Sequence, residues 1–396
     1  MSLRVTQLVQ SPMRRGAEVF ARDLSTTLRA RGHDVDTVYL YPKSGEGTLP
    51  VTSHDVVLDG DPAHPLERTV GFHPELLARL VAHVVRARPD VLQLNGARAV
   101  KYGALVRHAL GRRAPVVVYR NIGNPMDWLR SRALDAFYRA VVFPALDGVA
   151  AVSKDALHQL STRYGIRVPT AHIPTAISPD AIRARTPRAE VRRALGFDER
   201  DVVALYVGAL SSEKRPDRFV RALAHARAAR ASVRGLIVGA GKERAACESL
   251  ARDLSTPIAF VGASDDVGSL YAASDLLVIS SDTEGIPAVA LEAAWHEKPV
   301  VATDVGAMRE CVWHDETGLV CAADDEPLAR AIVSLVDDPA RRASMGARGH
   351  AKVAASHLID AAADAYLALY ARAKEMRRGR LAIGLAGVRG VVEVVR

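Results

Sequence analysis

Aromatic residues make up only 5% of the chain, too few to build the stacking platforms that bind single-stranded nucleic acid. There are three cysteines, Cys247, Cys311 and Cys321. An odd set without Cys-x-x-Cys spacing supports neither a disulfide framework nor a structural zinc site and fits a reducing, cytoplasmic compartment. No uninterrupted apolar run reaches membrane-spanning length. The nearest, "LAIGLAGVRGVVEVV" at 381–395, is broken by Arg389 and Glu393. The opening "MSLRVTQLVQSPMRRG" reads as a short strand and lacks the apolar segment of a secretory signal. The thirteen histidines show no HExxH or comparable ligand spacing. The Asp-x-Asp pairs Asp34–Asp36 and Asp59–Asp61 fall at a strand start and in a Pro/Gly-rich loop, so no metal and no other cofactor is expected.

Two nucleotide signatures are also missing. "VGAGKERA" places Gly239 and Gly241 correctly for a dinucleotide fingerprint, but Arg244 stands where a third glycine or alanine belongs, and the stretch follows an internal strand. Glu243 follows Gly241-Lys242 where the phosphate loop of an NTPase needs Ser or Thr.

What is present is an ordinary globular composition, 49% hydrophobic and 25% charged, over 396 residues, a length that suits two domains. The formal net charge is +8, which attracts anions; it is scattered, mostly as arginine, with no long basic arm before residue 370. Short apolar runs alternate with helical patterns. In the first half they are "RVTQLVQ" (4–10), "DVDTVYL" (34–40), "DVLQLN" (90–95), "PVVVYR" (115–120) and "DGVAAVS" (147–153). The amphipathic stretches between them stop at Gly32 and Pro89, as helices do. Strands joined by helices in this way predict a parallel sheet buried on both faces.

The region 174–200 is Pro-spaced and charged and reads as an interdomain connection. The alternation then restarts with "VVALYVG" (202–208), "GLIVG" (235–239), "PIAFVG" (257–262), "DLLVIS" (275–280), "PVVAT" (299–303) and "GLVCA" (318–322). The expected architecture is α/β, with two doubly wound Rossmann-like domains facing a cleft. Ligands bind such sheets at the carboxyl ends of the strands. In the second half those ends read Val-Gly-Ala four times, at 207–209, 238–240, 261–263 and 305–307. Glycine there lets backbone approach a ligand closely, which makes this edge, with Gly208 and Gly262, a candidate binding surface.

The most informative stretch is "SSDTEGIPAVALEAAWHEKPVVATDVGAMREC", 280–311. Pro287 suits the first position of a helix. Thr283, Glu284 and Gly285 form the turn before it, and Glu292 lies inside it. The free amides and positive dipole end of a helix start favour a phosphate or diphosphate. Two carboxylates bracketing such a site suit a ligand with hydroxyls at both ends and phosphate between, because carboxylates accept strong hydrogen bonds from hydroxyls. A nucleoside diphosphate sugar has that layout.

These residues resemble a family. "EGIPAVALE" followed by "KPVVATDVGAMRE" is similar to the Glu-x7-Glu segment of the family-four retaining glycosyltransferases of the GT-B fold. "ALYVGALSSEKRPDRFVRAL" (204–223), "AVSKDALHQLSTRYGI" (151–166) with "HIPTAIS" (172–178), and "RRGAEVFARDLSTTLRARGHDVD" (14–36) resemble further family segments in the same order. The resemblance spans the chain from near residue 4 to about 372.

It implies a GT-B enzyme with an acceptor-binding domain (1–178), a nucleotide-sugar-binding domain (179–360), and a C-terminal segment (361–396) whose helix crosses back to the first domain. The implied reaction moves a sugar, with retention and without metal, from a nucleoside diphosphate sugar, UDP favoured over GDP, to a sugar, lipid-linked or small-molecule hydroxyl acceptor. Glu292 would hold the donor ribose, Glu284 would face the donor sugar, and Lys214 would meet the diphosphate. Gly285, Ile286 and Pro287 would line the donor turn, and Gly16 would let the first domain's loop approach. Ala209 stands where many members carry an arginine, and Arg215 is the candidate substitute. Arg120 and Asn121 stand where a histidine is common, on the acceptor side. A sugar-nucleotide epimerase of the same fold, or a catalytically silent partner subunit, are the competing expectations.

The end of the chain carries Arg372, Lys374, Arg377, Arg378 and Arg380, followed by the apolar stretch. That is the composition of a peripheral contact with an anionic membrane on its inner face, although Gly384, Gly387 and Gly390 also suit a strand or a disordered end.

Overall fold

The structure, a computed structural model, describes residues 2–43, 47–69, 71–123 and 131–394, with side chains described as far as Arg380. The chain divides into two units, one built from Met1–Ser44, Thr48–Pro174 and Asp360–Arg396, the other chiefly from Thr175–Ile359.

The first unit contains a seven-stranded sheet: β1 (Arg4–Val9), β2 (Asp34–Tyr39), β3 (Asp55–Val57), β4 (Val91–Asn95), β5 (Val116–Asn121), β6 (Gly148–Ala151) and β7 (Thr170–His172). Their order in space is β3-β2-β1-β4-β5-β6-β7, and every pair is parallel. The apolar runs account for this. Val117, Val118 and Tyr119 are buried in succession, so side chains on both sides of β5 are covered, as a parallel sheet between helices requires. The edge strands β3 and β7 have three residues each; they are too short and too exposed to leave an alternating pattern in the sequence.

The second unit carries β8 (Val202–Val207), β9 (Val233–Val238), β10 (Ile258–Gly262), β11 (Leu276–Ile279), β12 (Val300–Thr303) and β13 (Gly318–Cys321). The order is β10-β9-β8-β11-β12-β13, again parallel. The direction of winding reverses between β8 and β11, which makes their carboxyl ends the switch point of this sheet.

Two expectations change here. The region 174–200 is not a free connection: the first boundary falls after Pro174, and a helix, Arg188–Ala194, packs into the second unit. Buried Arg192 secures it, donating to the carbonyls of Ala273 (3.0 Å), Asp198 (2.6 Å) and Asp201 (2.6 Å). The C-terminal stretch is neither strand nor coil; one helix runs over Ile359–Val394.

That helix belongs to the first unit. Tyr366 and Tyr370 are fully buried, and the Tyr366 ring lies 6.0 Å from that of Phe20 in the helix Gly16–Ala30. Tyr370 donates to Gln93. Arg31 holds Asp360 (2.7 Å) and Asp364 (2.5 Å). Arg377 is itself buried, beside Asp147 (3.3 Å) and bonded to the Ala114 carbonyl (2.5 Å), so it is not part of an exposed basic cluster. The apolar residues after Arg380, where a membrane contact is expected, lie outside the described side chains. Among the described residues no helix is long and apolar enough to cross a membrane.

Candidate active site

Two loops meet at the switch point of the second unit. One leaves β8 and enters the helix Pro216–Ala229 through Arg215, whose φ is +50°. The other leaves β11 and enters the helix Ala288–Trp295. They are joined by their backbones, the Asp282 amide donating to the Glu213 carbonyl at 2.9 Å. Ser280 Oγ donates to the Arg215 carbonyl at 2.7 Å.

Across this junction Lys214 Nζ lies 2.7 Å from Glu284 Oε2. The other carboxylate oxygen, Oε1, accepts from Ser281 Oγ at 2.7 Å, and the Ser281 carbonyl accepts from Thr303 Oγ1 at 2.7 Å. The Glu284 side chain is 9% exposed and that of Lys214 29%, so the ammonium is the more accessible of the pair. The two residues assigned to diphosphate and donor sugar are therefore bonded to each other, in a setting where the charged carboxylate is held by two donors.

Arg215 is engaged elsewhere. Its guanidinium contacts Asp217 (3.0 Å) and Asp282 (3.2 Å), and buried Arg218 takes the Ser280 carbonyl (2.6 Å) and Asp282 (2.7 Å). These arginines tie the loops together. Arg215, the expected substitute for a second diphosphate cation, has a side chain 28% exposed and already holds two carboxylates, which a diphosphate would have to displace.

Glu292 lies on the helix Ala288–Trp295 and accepts from the Tyr271 hydroxyl at 2.8 Å. Tyr271 is fully buried on the helix Val267–Ala273 and stacks on His296 with ring centroids 5.5 Å apart. Burial, and then the charge of Glu292, push the Tyr271 hydroxyl well above the ordinary tyrosine range, so it donates. Pro287 is the residue before the helix, with φ −71° and ψ 121°, and not its first helical position. Ile286 is buried, its carbonyl accepting from Thr175 Oγ1 at 3.3 Å.

Two of the glycines at the strand ends, Gly239 and Gly306, serve the packing of the unit itself. A Cβ on Gly306, whose φ is +55°, would sit 1.8 Å from the Glu284 carbonyl oxygen, and one on Gly239 would sit 1.9 Å from the Gly208 carbonyl oxygen. Here backbone approaches backbone, and the glycines let the site's own loops nest. At Gly208 the nearest atom is 3.6 Å away, at Gly262 3.2 Å, and at Gly16, the first residue of its helix, there is open space.

In the first unit Arg120 and Asn121 end β5 and are each only 1% exposed. The Arg120 guanidinium carbon lies 3.8 Å from the Phe20 ring centroid, and burial lowers its pKa. Arg120 is therefore enclosed beside the helix Gly16–Ala30, and Asn121 accepts from the buried Tyr119 hydroxyl at 3.2 Å; neither is an exposed acceptor surface, and the polarity of an arginine at a strand end gives no sign of this. Nearby, Glu18 in the first turn of that helix is buried, and burial pushes its carboxyl up to about 7. Glu18, Tyr271, Ser281 and Arg218 are site or supporting residues that the sequence did not single out. Glu18, Arg218 and Ser281 lie inside the informative segments 14–36, 204–223 and 280–311, whereas Tyr271 lies outside all of them. Among the described residues no group of three or more His, Cys, Asp or Glu side chains is placed to hold a metal ion.

Two doubly wound units, with an ion pair at the switch point of the second, define the GT-B class of glycosyltransferase folds. The chain belongs within that class to the family-four, group 1 glycosyltransferases. The family model described as glycosyl transferases group 1 matches residues 187–352, and that described as glycosyltransferase family 4 matches residues 14–181. Over 222 residues the chain is 31% identical to a GDP-mannose-dependent monoacylated alpha-(1-6)-phosphatidylinositol monomannoside mannosyltransferase of Corynebacterium glutamicum, covering 53% of this chain and 58% of that one. Over 214 residues it is 33% identical to a D-inositol 3-phosphate glycosyltransferase of Rhodococcus opacus, covering 51% and 48%. The chain thus spans about half the length of these curated relatives. A crystal structure of Anabaena HepE in complex with UDP and glucose superposes with a TM-score of 0.75 at 20% identity, over 92% of this chain and 98% of that one.

Proposed function

We propose that the chain is a retaining, metal-independent glycosyltransferase that moves a sugar from a nucleoside diphosphate sugar to a hydroxyl acceptor. The observation that carries this reading is the Lys214–Glu284 pair at 2.7 Å, beside a helix start whose first amides have no acceptor within the helix. Departure of a nucleoside diphosphate leaves negative charge on phosphate oxygens. Lys214, the more exposed partner, swings from one anion to another, and the helix-start amides add preorganised donors. Glu284 faces the donor sugar hydroxyls, and Glu292, fixed by Tyr271, takes the ribose. The acceptor oxygen attacks on the face the diphosphate leaves, its proton passing to the departing phosphate oxygen, so no separate base is required of the protein. Positive charge from protein groups supports activity without a metal. The three thiols are unpaired, which fits a reducing compartment.

One relative's name carries GDP-mannose and one neighbour was solved with UDP and glucose, so both bases enter the test, with UDP sugars first. The experiment is a calorimetric screen of UDP and GDP sugars, followed by transfer to an acceptor panel in the presence of a chelator. The product's anomeric configuration is read by NMR. An inverted product overturns retention, and activity lost in chelator and restored by magnesium overturns metal independence. Conversion of the donor to its epimer with no acceptor present gives the reaction to an epimerase.

A further inference from the structure

We infer that the amino-terminal end of the first unit's sheet is a docking surface for an anionic lipid bilayer. This pole collects charge from elements far apart in sequence. Arg88 follows the helix Pro74–Ala87 and lies three residues before the start of β4. Arg112 and Arg113 form the turn between the helix Gly96–Leu110 and β5. Arg378 and Arg380 lie on the final helix, and all five are exposed.

The final helix brings them together. Arg377 reaches the carbonyls of Ala114 (2.5 Å) and Arg112 (3.4 Å), and Lys374 reaches Asp90, the residue before β4, at 3.0 Å. The two acids at the centre are thereby occupied from within, Asp90 by Lys374 and Asp147 by Arg377. Among the described residues, none of the five exposed arginines has a carboxylate within ion-pair distance; Glu375 is the exposed acid on the same stretch of helix.

Part of this pattern has a local cause, since cations complement the negative ends of the helices that finish here. That accounts for Arg88 and Arg112 but not for Arg378 and Arg380, which lie in mid-helix. A surface on which these five guanidinium groups outnumber the exposed acids Asp34 and Glu375 fits lipid phosphates, each contributing attraction that falls off within a Debye length. The sequence that follows Arg380 at once, "LAIGLAGVRGVV", is apolar, which favours a bilayer over a nucleic acid, as does the scarcity of aromatics. The surface differs from the terminal basic run alone: it loses buried Arg377 and gains Arg88, Arg112 and Arg113.

The test is sedimentation of the full chain with vesicles of phosphatidylcholine alone, or of phosphatidylcholine with phosphatidylglycerol, at low salt. The chain should sediment with the anionic vesicles only. Arg88→Glu/Arg112→Glu/Arg113→Glu, which leaves the terminal run intact, should lower the partition coefficient by about tenfold or more, while the corresponding lysine variant keeps it. Unchanged thermal unfolding of both variants shows that they fold. Wild-type partition of the glutamate variant, or no binding by the parent chain, overturns the inference. So does release of the bound chain by duplex DNA at a lower phosphate concentration than vesicles supply.

Discussion

Lys214 and Glu284, 70 residues apart, share a bond of 2.7 Å across two loops. A cation already resting on a carboxylate is a prepositioned donor: only its second partner has to arrive. Lys214→Ala should therefore slow transfer far more than it weakens donor binding, because the ammonium matters most as the diphosphate departs. The expected fall in kcat is about 10²–10³-fold, as for loss of one oxyanion donor, with a smaller change in KM. A raised KM at constant kcat would show that Lys214 binds ground and transition states alike.

Tyr271 and Glu292 should behave as one unit. Glu292→Gln and Tyr271→Phe should each weaken a nucleoside diphosphate by roughly 1–3 kcal/mol, measured by calorimetry. Against the deoxy analogue lacking the recognised ribose hydroxyl, both penalties should shrink together. A Tyr271→Phe penalty that is the same for ribose and deoxyribose ligands would assign Tyr271 a purely structural role.

Gly306→Ala should lower stability by about 2–4 kcal/mol, through strain at positive φ and collision with the Glu284 carbonyl, and should impair donor binding with it. Gly208→Ala, with no atom nearer than 3.6 Å to the added carbon, is the control and should shift the urea midpoint little.

Glu18 sets a pH dependence. Its native carboxyl lies at about 7 against an ordinary 4.5, so the native state holds the proton more tightly than the unfolded state. Stability should fall as pH rises through that window, by up to about 3 kcal/mol in full. Glu18→Gln should flatten the difference between urea midpoints at about pH 5 and about pH 8. A variant that keeps the parent's slope would mean that Arg120 holds Glu18 charged throughout.

The two sheets were legible because parallel strands buried on both faces read as continuous apolar runs. β3 and β7 were not, having three residues each and only partial cover. Glu284, Glu292 and Lys214 stood out because carboxylates beside a helix start, and a lysine in a recognisable segment, carry local signals. Their partners did not. Tyr271 is an ordinary tyrosine in sequence, and its contact with Glu292 depends on how two helices pack 21 residues apart. Two strand-end glycines, Gly239 and Gly306, admit another loop of the same unit, which sequence does not show, while Gly208 meets nothing nearer than 3.6 Å and Gly262 only the Arg244 guanidinium. Arg120 shows the converse, a charge that looked presented and is enclosed beside Phe20.

The first unit takes its last helix from residues that follow the whole of the second, with Tyr366 and Tyr370 fully enclosed. During synthesis the ribosome therefore releases every residue of the second unit before the first can finish. The usual amino-terminal-first order of domain folding should be reversed, with the nascent first unit left without a wall while its neighbour matures. Proteolysis of stalled nascent chains should find Thr175–Ile359 resistant before the residues that precede it, and the opposite order of protection would rule this out.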